Sequence, residues 1–171
     1  MFEKIFRKFG IQTSYFDFTN KEYIQQISKV KPSLIWLESP TNPLLKILNL
    51  REICSEANLR KIPVVVDNTF CTAVIQKPLE LGATLSLIST TKFINGHSDA
   101  LGGAVITNDE SWNNKMIFSQ KSLGLNPSPF DCWLITRGLK TLPLRIAQQT
   151  ENSHFIANEL NSHKLIDQLI Y

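Results

Sequence analysis

Cysteine is scarce and unpatterned in this chain: Cys54, Cys71 and Cys132 are the only 3 in 171 residues, with no Cys-x-x-Cys pair among them. That spacing offers neither a disulfide framework nor a thiolate zinc site, which leaves reduced, mostly buried thiols. No apolar run approaches the ~20 residues that span a bilayer. The opening MFEKIFRKFG is amphipathic but has no apolar signal-peptide stretch and no cleavage site. Basic residues are not clustered either: 18 Lys and Arg against 15 Asp and Glu give a net charge of +3, with no block able to track a phosphate backbone. The expectation is a soluble, cytoplasmic protein with no nucleic-acid and no membrane partner. No repeat or low-complexity tract is present. A composition of 43% hydrophobic and 19% charged residues can build a real core at this length.

What is present is an alternation of elements. Phe2, Ile5, Phe6 and Phe9 share one face of a helix expected over residues 1–8, and residues 11–16 read as a strand. Asn20 caps a second helix, on which Tyr23, Ile24 and Ile27 recur and which stops before Lys31-Pro32. A strand over 33–38 runs into the proline-bounded loop SPTNP. Residues 50–59 form a helix with Ile53, Cys54 and Ala57 inward, and 62–66 form an all-apolar strand of the kind covered on both faces. A short helix at 78–81 and strands at 84–88 and 103–107 follow. The pattern predicts an α/β fold, a mainly parallel sheet with flanking helices. Helices are then expected at 112–123, 129–138 and 142–160, with Gly124 and Gly138 as stops, and 165–171 reads as an opening strand.

In parallel sheets of this class, ligands bind beyond the carboxyl ends of the strands. Three motifs fall there: ESPTNP, DNTF and STTK. Lys92 follows one strand and Asp67 closes another. A lysine held away from bulk water there would have a freed amine able to form a Schiff base. An amine and a carboxylate converging on adjacent strand tips are the two groups that hold pyridoxal 5'-phosphate (PLP), the acid keeping the pyridine nitrogen protonated and the lysine carrying the aldehyde. Ser89 and Thr91 flank the lysine, placing two hydroxyls for the phosphate, with bonding to strand-end backbone as the plainer alternative. Asn42 is a candidate donor to a ring oxygen, although a turn asparagine needs no ligand. His97 has no second His or Cys at ligand spacing, so a metal site is not expected.

ESPTNP, VVVDNTF, KPLELGA, STTKFINGHSDALGG and SLGLNPSPFDCWLITRGLKTL, in this order and spacing, resemble the Cys/Met metabolism family of PLP-dependent enzymes, the trans-sulfuration enzymes, over essentially residues 2–171. The likeness is greatest to its cystathionine gamma-lyase group. It implies an aspartate aminotransferase-like fold and a homotetramer of dimers. Lys92 would be the Schiff-base lysine, Asp67 the pyridinium partner, Ser89 and Thr91 the phosphate ligands and Asn42 the partner of the ring hydroxyl. The implied reaction is carbon–sulfur cleavage of an amino acid substrate, cystathionine to cysteine, 2-oxobutanoate and ammonia. Cystathionine beta-lyase or gamma-synthase chemistry is the alternative, as is a truncated, inactive form that binds cofactor or associates with relatives. Against the family pattern, residues 1–145 would be part of the PLP-binding domain. Residues 146–171 would be a linking helix and the start of a C-terminal domain. On this reading the family's cofactor-stacking tyrosine and glycine-rich phosphate turn would belong to a portion upstream of Met1, and its carboxylate-binding arginine to a C-terminal domain expected to begin where Tyr171 ends.

Overall fold

The computed structural model describes residues 2–171, which divide into two compact units, Met1–Pro32 and Ser33–Tyr171. In the first unit the expected opening helix is instead a 3-10 turn, Phe6–Phe9, closed by Gly10 at φ 81°; Met1 lies outside the described residues. Residues 11–16 are not a strand. A strand exists only where a second one completes its hydrogen-bond ladder, and this unit has no other extended segment among its described residues to pair with. Helix α1 (Glu22–Val30) buries Tyr23 and Ile27, one turn apart on a single face. Its N-cap is Lys21, which makes no side-chain cap bond, and not the expected Asn20; Asn20 lies one residue earlier and its side chain accepts the Glu22 N–H at 3.0 Å. Lys31 ends the helix at φ 50°, ahead of the proline that bars its continuation.

The second unit is built on strands β1 (Ile35–Glu38), β2 (Val64–Asp67), β3 (Leu85–Ile88) and β4 (Ala104–Ile106), in that spatial order. The first three are parallel, and their register sets Glu38 beside Asp67 and Asp67 beside Leu87. β4 runs antiparallel against β3, because residues 89–103 turn the chain back on itself instead of crossing over. The sheet is therefore α/β and mostly parallel, with one reversed edge. β2 lies at its centre, and Val64 and Val66 are both 0% exposed.

Helix α2 (Leu50–Leu59) covers the sheet with Leu50, Ile53, Cys54 and Ala57. It starts where it does because Asn49 and Glu52 cap each other: the Glu52 N–H donates to Asn49 Oδ1 at 3.2 Å and Asn49 Nδ2 to Glu52 Oε2 at 3.1 Å. A short helix α3 (Thr72–Ile75) and a 3-10 turn (Pro78–Leu81) lead into β3. Helices α4 (Glu110–Leu123), α5 (Pro129–Leu139) and α6 (Leu142–Asn161) follow. Gly124 stops α4 as expected, at φ 66°. Gly138 does not stop α5; it lies inside the helix, where a Cβ would strike the Asn95 carbonyl. That glycine serves a close approach between backbones, which the sequence around it cannot show. Residues 165–171 are not a strand; the Tyr171 ring rests edge-on against His154 of α6, centroids 5.1 Å apart. No described helix is long and apolar enough to cross a membrane.

Candidate active site

Each parallel strand delivers one loop to the carboxyl end of the sheet, and hydrogen bonds between the loops fix their mutual positions. After β1, the Asn42 N–H donates to Glu38 Oε2 at 3.3 Å, holding the exposed Asn42 beside the strand tip. The Ser39–Pro40 and Asn42–Pro43 peptide bonds in this loop are cis. Ser39 is buried, its hydroxyl accepting the Leu48 N–H at 3.0 Å. Gln76 ties this loop to the next: its Nε2 donates to the Ser39 carbonyl and to Asn68 Oδ1, both at 2.9 Å, while Asn68 Nδ2 donates to the Gln76 carbonyl at 2.8 Å. Asn68 is completely buried, so a hydrogen-bonded polar knot seats the loop that carries Asp67.

Asp67 ends β2, and its Oδ1 accepts the Thr69 N–H at 3.0 Å. The Thr69 hydroxyl in turn accepts the Ser89 N–H at 2.8 Å, and the Lys92 N–H donates to the Ser89 carbonyl at 3.2 Å. A path of three hydrogen bonds thus runs from the carboxylate to the backbone N–H of the lysine. The Phe70 and Phe93 rings meet across the same junction, centroids 6.1 Å apart. The structure brings Asp67, Ser89 and Lys92 together on adjoining strand tips, with Asn42 one strand further along.

Lys92 sits in a kinked helical turn, Thr90–Ile94, at φ −89° and ψ −119°. Its side chain is exposed, where the sequence suggested a lysine withdrawn from water. The packing lies behind the backbone instead: Ile88, Ile94, Leu142 and Ile146 form a buried cluster flanked by Phe93 and Ile135, so the amine points to the open side. Thr91 differs from Ser89. Its hydroxyl donates to the Gly102 carbonyl at 3.2 Å and accepts the Gly102 N–H at 2.9 Å, whereas the Ser89 hydroxyl has no partner among the described residues. The Thr90 hydroxyl oxygen is buried without a partner. His97 stands outside the junction, its Nδ1 2.6 Å from the Asn95 carbonyl oxygen, and no group of three or more His, Cys, Asp or Glu able to hold a metal occurs among the described residues.

Residues missed at the level of sequence are the ones that only hold others in place. Thr69, Asn68 and Gln76 lock two loops together, and Asp99 accepts from Asn95 Nδ2 and from Arg137 Nη2, both at 2.9 Å. Thr69 was findable, since it lies in DNTF two places beyond the acid; the Gln76 and Arg137 contacts carry no local signal.

The Cys/Met metabolism PLP-dependent enzyme family matches this sequence over residues 1–171. The chain belongs to that family. It is 40% identical over 171 residues to a probable cystathionine gamma-synthase of Herpetosiphon aurantiacus, covering 100% of this chain and 54% of that protein. It is also 40% identical to the cystathionine gamma-lyase of Sus scrofa, covering 99% of this chain and 42% of that protein. Among solved structures, cystathionine gamma synthase from Xanthomonas oryzae pv. oryzae, in complex with aminoacrylate and cysteine, superposes with a TM-score of 0.94 at 40% identity. The match covers 98% of this chain and 43% of that one. The chain thus spans about half the length of the relatives it matches.

The family's cofactor can be tested against the residues present. Among the described residues, neither the Lys92 ammonium nor the second carboxylate oxygen of Asp67 has a hydrogen-bond or ion-pair partner. An uncommitted amine, an uncommitted acid and a free Ser89 hydroxyl on neighbouring strand tips are the donor set that PLP requires, and the site fits it.

Proposed function

We propose that the strand-tip junction is the PLP site of a trans-sulfuration enzyme and that Lys92 Nζ is the group through which PLP is held covalently. In this reading Asp67 takes the ring nitrogen, keeping it protonated through its uncommitted oxygen. Asn42 faces the ring hydroxyl, and Ser89 is the first phosphate ligand because its hydroxyl is uncommitted. Thr91 joins it by surrendering its 3.2 Å bond to the Gly102 carbonyl, which a phosphate oxygen replaces with a charge-assisted one. When bound, PLP supplies an electron sink for the negative charge left on a substrate α-carbon. Lys92, once the substrate's own amino group has taken its place on the cofactor, would be the base that takes the α proton and returns a proton elsewhere on the substrate. The exposure of its side chain gives it the room to move between those positions.

The single observation that supports the proposal is the hydrogen-bond path from the Asp67 carboxylate through Thr69 and Ser89 to the Lys92 backbone N–H, which links the two strand ends that carry the acid and the lysine. The reaction we infer is cleavage of cystathionine at its γ carbon–sulfur bond, giving cysteine, 2-oxobutanoate and ammonia. Replacement at the γ carbon, forming cystathionine, is the second reading, since relatives named gamma-lyase and gamma-synthase stand at the same 40% identity. Addition of PLP followed by borohydride reduction and peptide mass spectrometry should locate the cofactor on Lys92, with no such adduct in Lys92→Ala. A cofactor found on other lysines in both proteins would defeat the assignment. Release of 2-oxobutanoate from cystathionine, set against net cystathionine formation from cysteine and a γ-activated homoserine donor, separates the two reactions.

A further inference from the structure

The residue that grips the lysine segment most extensively lies on a helix that carries none of the candidate cofactor ligands. Arg145, in the first turn of α6, donates from Nη1 to the Phe93 carbonyl at 2.7 Å, and from Nη2 to the Ile94 carbonyl at 3.1 Å and the Gly138 carbonyl at 2.7 Å. Its Nε is braced on the Thr141 hydroxyl at 3.0 Å. An arginine closing the end of α5 would need only the Gly138 carbonyl. Two of the three carbonyls it takes instead belong to the residues immediately after Lys92.

The surroundings are shaped to allow this grip. At Gly96, which holds φ 75°, a Cβ would run into the Arg145 guanidinium, and at Gly138 a Cβ would run into the Asn95 carbonyl. A side chain at Gly96 would therefore push the guanidinium away, and one at Gly138 would push α5 off the lysine segment. Lys92 itself departs from helical geometry, at ψ −119°, with its N–H on Ser89 and its carbonyl accepting the Gly96 N–H at 2.8 Å. A backbone bent away from its neighbours' conformation holds its direction only if the residues on both sides are fixed. Upstream, the Thr69–Ser89 bond does this; downstream, Arg145 does.

We propose that Arg145 is a positioning residue for Lys92: by clasping the Phe93 and Ile94 carbonyls it fixes the origin and direction of the lysine side chain relative to Asp67. This rests on the assignment of Lys92 as the cofactor lysine. A rigid planar fork reaching three acceptors at once is a task for arginine that lysine, with a single ammonium, cannot repeat.

The test uses the 171-residue chain with Arg145→Met and Arg145→Lys. Each is incubated with PLP and reduced with borohydride, and the adduct at Lys92 is quantified against the adducts at the exposed Lys61 and Lys140. Thermal melts and hydrogen exchange at the Asn95 and Gly96 amides are recorded alongside. The expected result for Arg145→Met is a Lys92 labelling rate lower by roughly 10- to 100-fold, with Lys61 and Lys140 unchanged and exchange at Asn95 and Gly96 faster. Arg145→Lys should recover part of the labelling. An unchanged labelling ratio in folded Arg145→Met overturns the proposal. If that variant does not fold, Arg145→Lys decides in the same way, an unchanged ratio and unchanged exchange counting against it. If wild-type Lys92 is labelled no faster than Lys61 and Lys140, the cofactor reading itself fails. Exchange then decides alone: faster exchange in the variants upholds the clasp and unchanged exchange overturns it.

Discussion

Strand β2 and helix α4 are both supplied with apolar side chains, and the same unit treats them in opposite ways. On β2, Val64, Val65 and Val66 are 0%, 5% and 0% exposed. On α4, fourteen residues long, none is buried, and Phe118 is 72% exposed. Helix α6 repeats the contrast within itself: over twenty residues only Leu142 and Ile146, near its start, are buried. Most of the burial in this unit therefore lies in the parallel strands and α2, and the C-terminal helices add to it where α5 and the start of α6 meet the lysine segment. The site stands on the buried half and is gripped by the edge of the exposed half.

The sharpest way to break that comparison is to remove equivalent apolar bulk from each side. Ile53→Ala on α2, at a residue 1% exposed, should cost about 2 to 5 kcal/mol in urea denaturation through lost burial and the cavity left behind. Phe118→Ala on α4 should stay within about 0.5 kcal/mol. Equal losses would mean that α4 is packed in solution in a way this structure does not show.

Next in size is Gly138→Ala. A Cβ there meets backbone, the Asn95 and Ile94 carbonyls, and backbone cannot swing aside as a long side chain can. The cost should be about 3 kcal/mol, read as a lowered denaturation midpoint. Alanine at Gly124, where no atom lies within 4 Å of the new Cβ, should pay only for its φ of 66°, about 1 kcal/mol. If both glycines tolerate alanine equally, the contact between α5 and the lysine segment is looser than drawn. Smaller again is Gln76→Ala, which leaves the Ser39 carbonyl and Asn68 Oδ1 unpaired in a buried setting. It should cost about 1 to 2 kcal/mol and loosen the loop carrying Asp67; hydrogen exchange at residues 67–72 checks it.

Where the sequence was legible, local chemistry and tertiary demand agreed. The continuous apolar run of β2 has no alternative to a covered central strand, and the spacing of Ile53, Cys54 and Ala57 admits only one inward face for α2. The three strand-end motifs fall at one end of the sheet because parallel strands must bring their carboxyl ends together. The failures share a different cause. Residues 11–16 alternate like a strand but find no partner in their unit, and β4 reverses direction in a stretch whose sequence carries no periodicity. Gly138 looks like a helix stop because glycine usually is one, and only the arrival of Asn95 from far upstream gives it another purpose. Arg145 carries no local signal of the carbonyls it reaches. The exposure of Lys92 and the engagement of the Thr91 hydroxyl with Gly102 depend on which side of the turn is packed, which strand and helix patterns leave undetermined.

The smallest effect concerns acid and distinguishes the two halves electrostatically. Asp99 receives the Asn95 amide and faces Arg137 of α5, and these, the amide first, hold its carboxyl below the ordinary value of 3.8. A carboxylate whose folded-state value is lowered releases its proton more readily in the native state than in the unfolded one. Its stabilising contribution is therefore complete above about pH 4 and fades as the pH falls through the lowered folded-state value. Asp99→Asn should accordingly reduce the thermal midpoint near neutral pH by a small amount, the pair being solvent-exposed and screened, and the difference from wild type should shrink steadily below pH 4. Added salt should narrow the neutral-pH gap as well. A difference that grows on acidification would mean that Asp99 is not held as its bonds to Asn95 and Arg137 require, and the link between α5 and the loop beyond Lys92 would then rest on the Gly138 contact, Arg145 and the packing of Ile135.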